Sequence, residues 1–132
     1  MTSKPYYLMD SRVMDSSNNV RLEVCRPEKT GPVLSQEMPW ESCYIHPHSL
    51  VHHNGEYLLY YTVYIVDDGP NRLAACLATS RDGIHWARPE LGQVEYHGSK
   101  RNNMLAMDGT VSIDPVAPPE RRFLMAGSDT RI

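Results

Sequence analysis

Residues 46–61, His46-Pro47-His48-Ser49-Leu50-Val51-His52-His53-Asn54-Gly55-Glu56-Tyr57-Leu58-Leu59-Tyr60-Tyr61, decide the fold of this 132-residue chain. Ser49 to His52 reads as a short strand. Asn54-Gly55 is a two-residue hairpin signal, because both turn positions require positive φ. Tyr57 to Val66 is almost wholly apolar or aromatic, without polar alternation. Such a run fits a strand covered on both faces. Its length, its Tyr, Val and Ile content and the Asn-Gly before it argue against a buried helix.

Outward from this hairpin the chain keeps turning. Asp67-Asp68-Gly69-Pro70-Asn71 is a turn cluster, and Leu73 to Thr79 is a further strand built on small residues, Ala74, Ala75, Cys76 and Ala78. Small side chains there let packed layers approach closely. Asp82-Gly83 makes the next turn, and Trp86 is placed to fold back over the sheet. Gln93-Val94-Glu95-Tyr96 reads as an outer edge strand, followed by a polar loop from His97 to Asn103. Before the hairpin, Tyr6–Met14 and Val20–Cys25 are strand candidates separated by a turn at Asp15–Asn19, and a Pro/Gly-punctuated loop spans Thr30 to Pro39.

A second copy of the pattern begins near Thr110. Val111-Ser112-Ile113 matches Leu50-Val51-His52, the turn Pro115–Arg121 replaces Asn54-Gly55, and Arg122–Ala126 matches Tyr57–Tyr61. The offset is roughly 60 residues, within the range in which repeats imply arrays or propellers. The expectation is an all-β chain forming a partial β-propeller: one complete four-stranded antiparallel blade plus parts of its neighbours. Residues 1–39 supply N-terminal strands and a loop, 40–103 the first full blade, and 104–132 the start of a second.

Composition narrows the function classes. The net charge of −3 provides no electrostatic footprint for nucleic acid or an anionic membrane. No apolar run approaches the length of about 20 residues that spans a bilayer. Met1–Tyr7 has no signal-peptide core, so the default compartment is the cytoplasm. Three scattered cysteines, Cys25, Cys43 and Cys76, read as free thiols. One Phe against eight Tyr and two Trp means that most large rings carry a polar handle.

Two stretches carry a family resemblance. His46–Val51 through Tyr57–Thr62 is similar to the opening of a blade in the five-bladed β-propeller glycosidases, the arabinanase/xylosidase-like and invertase-like enzymes of glycoside hydrolase families 43 and 32. Ala78-Thr79-Ser80-Arg81-Asp82-Gly83-Ile84-His85-Trp86 resembles their strand exit, an element that supports fold more than activity. The resemblance implies a carbohydrate substrate or ligand and no cofactor. It also implies a pair of carboxyl groups flanking the scissile bond, one acidic and one basic or nucleophilic. In those enzymes the base is an Asp before Pro on the first blade; here that place is taken by His46, before Pro47. Imidazole is itself a competent base. The general acid belongs to a later blade.

The candidate site follows from these residues. Asp10, Glu41, Asp108 and Asp114 are the carboxylates that could replace the missing Asp. Glu41 comes directly after Trp40 and just ahead of the inner strand, which would put an acid and an aromatic platform together near the axis. Glu41 and His46 are therefore the candidate catalytic groups, and Trp40, His48 and Asp108 the candidate ligand-binding groups. The bland alternative makes Trp40 a core plug, Glu41 a solvated loop charge and Asp108 a turn former. His46, His48 and His52 share strand parity and would line one face. Pro47 interrupts them and no spaced Cys or Asp completes a metal set, so a polar channel lining suits them better. Asp82 reads as a turn former.

Three functions fit this pattern. The first is part of a carbohydrate-active, glycoside-hydrolase-like propeller, inactive in isolation. The second is a non-catalytic carbohydrate-binding or protein-interaction propeller, and the third a truncated product without function. Blade faces left without neighbours would favour self-association.

Overall fold

A computed structural model describes residues 16, 18, 19, 23, 26–67, 69–107 and 109–127. The strand candidate Tyr6–Met14 with Asp10, the strand candidate Val20–Cys25 except Glu23, and also Asp108, lie outside the described residues. The chain divides into two compact units, 1–31 and 32–132. In the first, the described residues 26–31 form no helix or strand. The loop residues 32–39, grouped by the sequence reading with the N-terminal strands, belong to the second unit.

That second unit is all-β. Strand β1 (Tyr44–His53), β2 (Glu56–Ile65) and β3 (Arg72–Ser80) form an antiparallel meander in the order β1-β2-β3. Asn54 and Gly55 make the β1–β2 turn with φ of 51° and 78°. This is the doubly left-handed geometry that lets a two-residue loop follow the twist of its strands. A separate hairpin pairs β4 (Thr110–Ile113) with β5 (Phe123–Ala126). Among the described residues the one helical element is a single 3-10 turn at Pro119–Arg121, inside the β4–β5 connection.

The position outside β3 is filled differently from the expectation. Gln93–Tyr96 is not a strand. Instead Asn103–Leu105 runs antiparallel to β3: Leu77 N–H donates to Asn103 O (3.0 Å) and Leu105 N–H to Ala75 O (2.8 Å). Residues 93–96 find their partners in the following loop instead of on β3, and Tyr96 exchanges backbone bonds with Ser99 (2.8 and 3.1 Å). Asn102 Nδ2 donates to Val94 O (2.8 Å), and Gln93 Oε1 accepts from Ala106 N (3.0 Å). The stretch read as a polar loop therefore ends in two buried asparagines, Asn102 and Asn103.

β2 is central, but its two faces differ. Tyr61, Val63 and Ile65 are fully buried on one face, whereas Leu58, Tyr60, Thr62 and Tyr64 on the other are half-buried. The buried face joins Cys76 and Ala78 of β3 to Trp40 and Met104, with Trp86 and Tyr96 packed at its margin. Full burial of large apolar side chains is worth about 1.5–3 kcal/mol each, so this layer dominates the unit. Of the small residues of β3, Ala74, Cys76 and Ala78 face it, whereas Ala75, opposite Thr62, is buried on the other face.

β1 carries a bulge. Pro47 pairs with Tyr61 and Ser49 with Tyr60, so His48 is the extra residue. A one-residue insertion exchanges the faces of everything beyond it. Ile45 packs toward the core layer, whereas Ser49 and Val51 face the other way, where Ser49 Oγ accepts from Val111 N of β4 (2.8 Å). The shared parity expected for His46, His48 and His52 is thereby broken. His46 stands opposite Thr62 and His52 opposite Tyr57, on opposite faces of the sheet.

Gly109 begins the second hairpin under close constraint. A Cβ at this position would lie 2.6 Å from Ala126 O and 2.8 Å from Gly127 Cα. Backbone cannot yield there as a flexible side chain would. Gly109→Ala should open the β4–β5 hairpin while leaving the meander folded. Amide hydrogen exchange would show this as lost protection confined to residues 110–126; unchanged protection there would refute it.

Candidate functional site

Glu41 lies in the turn that leads into β1, its side chain completely buried. A carboxylate taken from water needs an opposite charge and hydrogen bonds on every lone pair. Both are present. Oε1 accepts from Tyr61 Oη (2.7 Å) and Arg88 Nε (2.8 Å). Oε2 accepts from the Glu37 and Met38 amides (2.9 and 3.1 Å) and from Arg88 Nη2 (3.0 Å). The Arg88 fork thus grips both oxygens, the strong bidentate form of the pair. Arg88 continues outward, donating to Glu37 Oε2 (3.0 Å) and to Ser35 O.

The network extends across the sheet. Asn103 Nδ2 donates to Tyr61 Oη (2.7 Å) and Leu77 O (2.8 Å), while its Oδ1 accepts from Trp40 Nε1 (2.9 Å). Trp40 is 9% exposed and meets Tyr96 edge to face at 5.8 Å. It is a core plug with a satisfied N–H, not an open platform. Five side chains, Trp40, Glu41, Tyr61, Arg88 and Asn103, therefore share one connected polar cluster inside the apolar layer.

Electrostatics follow from this packing. Burial works against ionisation of Glu41. Arg88, the Glu37 and Met38 amides and the Tyr61 hydroxyl outweigh it and hold the carboxyl below the usual range. Burial pushes the Tyr61 phenol far above its ordinary value. Burial, reinforced by the nearby Glu41 charge, raises the Cys76 thiol to about 12, so it stays protonated and inert. The cluster is an ion pair locked in one protonation state, neither a poised acid nor a poised base.

The structure brings Trp40 and Glu41 together and separates them from His46. Glu41 is bound to Tyr61 on the core face of the sheet. His46 is exposed and stands with Thr62 on the opposite face. Beside it Tyr44 and Tyr64 stack across the strands, with centroids 5.6 Å apart and planes within 7°. Tyr44 is 43% exposed. His48 is the half-buried bulge residue. Asp114 closes the β4–β5 connection, its amide donating to Arg122 O (2.8 Å) and its carboxylate accepting from Val116 N (3.0 Å).

The Ser80–Trp86 turn is self-contained. Asp82 Oδ1 accepts from the Ile84 and His85 amides (both 2.8 Å) and from Ser80 Oγ (3.0 Å), while Oδ2 meets His85 Nδ1 at 2.7 Å. The His85 ring and the two amides hold this carboxyl well below the usual range. Trp86 Nε1 donates to Gly83 O (3.2 Å) and its ring packs on the core. Asp82 is the turn former that the sequence suggested. A surface cleft of about 290 Å³ lies alongside, lined by Glu56, Thr79, Ser80, Arg81, Asp82, His85 and Ala87. Among the described residues no group of three or more His, Cys, Asp or Glu could hold a metal ion.

Sequence reasoning overlooked Arg88, Tyr61 and Asn103. Arg88 stands 47 residues from Glu41, with no sequence pattern marking the pair. Asn103 offered no local signal.

Breaking the pair has a calculable direction. Glu41→Gln leaves the buried Arg88 with the exposed Glu37 carboxylate as its remaining counter-charge and should lower stability by about 3–5 kcal/mol. Adding Arg88→Met should restore part of that loss. The folded-state pKa of Glu41 lies below its unfolded value. Its contribution is therefore fully present above the unfolded pKa and disappears as pH falls through the folded one. The gap in melting temperature between wild type and Glu41→Gln should be widest near neutral pH and narrow below about pH 4. A gap that is absent, or that grows on acidification, would refute the assignment.

Compared with models of protein families, with curated proteins and with solved structures, the chain has no match.

Proposed function

We propose that residues 32–127 form one blade and the beginning of the next in a carbohydrate-binding β-propeller of glycoside-hydrolase-like build. The observation that carries the reading is the position of β4. The first strands of two successive meanders lie side by side, joined by Ser49 Oγ and the Val111 amide. Inner strands of neighbouring propeller blades meet in this way around the axis. Asn103–Leu105 outside β3 serves as the fourth strand position of the first blade.

Carbohydrate as ligand rests on the sequence resemblance together with the face that carries His46. A stacked Tyr44–Tyr64 pair beside the exposed His46 imidazole offers ring faces and a polar group from adjoining strands. Pyranose rings are recognised by that combination, C–H faces on aromatics and hydroxyls on polar groups. Binding is favoured over hydrolysis because the one buried carboxylate near β1, Glu41, has both oxygens committed to Arg88 and its neighbours. Hydrolysis by a longer protein would need its carboxyl pair from elsewhere.

Affinity electrophoresis in gels containing soluble polysaccharides tests the reading. Retardation by at least one polysaccharide is expected, and Tyr44→Ala and His46→Ala should abolish it. A cross-strand pair is worth under about 1 kcal/mol, so both variants should melt close to the parent. Equal mobility in every polysaccharide would overturn carbohydrate binding. The propeller architecture makes a separate prediction. Leu73 (51% exposed) and Leu124 (54% exposed) would face neighbouring blades. The isolated chain should then self-associate or bind a hydrophobic dye. A dye-silent monomer with a sharp melt would favour a self-sufficient small β domain.

A further inference from the structure

The β1–β2 turn has a chemical property independent of any ligand. Asn54 is the one asparagine in the chain followed by glycine. Both residues of the turn are exposed. Gly55 carries no side chain to shield its amide nitrogen, and a Cβ built on it would meet nothing within 4 Å. Neither a side chain on Gly55 nor an atom near its Cβ direction therefore crowds that nitrogen. The remaining asparagines in the second unit differ. Asn102 and Asn103 are buried with their amides hydrogen-bonded, and Asn71 precedes the bulky Arg72 at the start of β3.

We propose that Asn54 is a site of spontaneous covalent modification, by deamidation through a succinimide. The deprotonated Gly55 amide nitrogen attacks Asn54 Cγ. A new C–N bond closes a five-membered ring, the Cγ–Nδ2 bond breaks, and ammonia leaves with a proton from solvent. Water then opens the ring at either carbonyl, yielding aspartate or isoaspartate. No electrons are transferred, and water is the sole co-reactant. The neighbouring Asp82-Gly83 sequence is protected from the equivalent rearrangement. Its carboxylate is held ionised by His85 and two amides, and an ionised carboxylate is a poor electrophile.

The two products differ in consequence. Aspartate keeps the main-chain length and tolerates the positive φ of 51° at this position. Isoaspartate inserts an extra carbon into the main chain, in a turn that sets the pairing of His53 with Glu56 and of His52 with Tyr57. It disturbs the register through which Tyr61 reaches Glu41.

The test is ageing of the intact protein at mildly alkaline pH, followed by peptide mapping and enzymatic methyl labelling of isoaspartate. The peptide containing Asn54 should be the dominant converted species, and Asn54→Gly, which keeps a turn compatible with positive φ, should abolish it. Asn54→Asp should melt with the parent, whereas the isoaspartate-enriched fraction should melt lower. Conversion chiefly at another asparagine would overturn the proposal. So would an unchanged Asn54 in folded protein when the denatured chain converts there, since the folded turn would then hold the Gly55 nitrogen away from Cγ.

Discussion

A carboxylate buried in an apolar layer is tolerated only when its charge and lone pairs are fully met, and Glu41 imposes that condition on the second unit. Its partners come from separate places: the 32–40 loop, the central strand at Tyr61, and the segment beyond the Trp86 turn at Arg88. Asn103 adds the stretch outside β3 and the Trp40 ring. None of these segments can shift independently without exposing an unpaired buried group. A layer built only of Tyr61, Val63, Ile65, Cys76 and Met104 would accept several packings. The polar cluster favours one arrangement, because any other packing would separate buried donors and acceptors that are paired here.

The same cluster accounts for the roles of the neighbouring aromatics. Trp40 and Tyr61 bury their rings in the core and use their polar tips inward, on Asn103 and Glu41. Tyr44 and Tyr64 belong to the other face and keep access to solvent. One sheet thus presents a sealed face whose chemistry is spent on folding and a second face on which Ser49 holds β4 while Tyr44 and His46 stay exposed. The separation of Glu41 from His46 follows from this division.

The strands were legible because their signals are local. The Asn54-Gly55 turn, the apolar run from Tyr57 and the small residues of β3 each specify structure within a few residues of themselves. The Asp82 turn was legible for the same reason. The outer position of β3 was misjudged because Asn102 and Asn103 look like loop residues until their distant partners, Val94 O, Tyr61 and Leu77, are known. Glu41 offered two readings, catalytic or solvated, and the structure presents a third, a buried ion pair. Arg88 lies 47 residues away in sequence, and no periodicity connects them. The histidine row was misread because a strand pattern assumes constant parity, which a single extra residue reverses.

That extra residue makes the number of residues in β1 matter as much as their kind. Upstream of His48 the strand serves the core layer through Ile45; downstream it serves β4 through Ser49 and Val51. Ordinary substitutions near the bulge change one contact each. Loss or gain of a single residue between Pro47 and Ser49 would rotate a whole half-strand, turning Val51 away from β4 or Ile45 away from the core. This short stretch therefore behaves like a reading frame. It can drift in composition over evolutionary time, but its length is held by two packing surfaces that must both be satisfied.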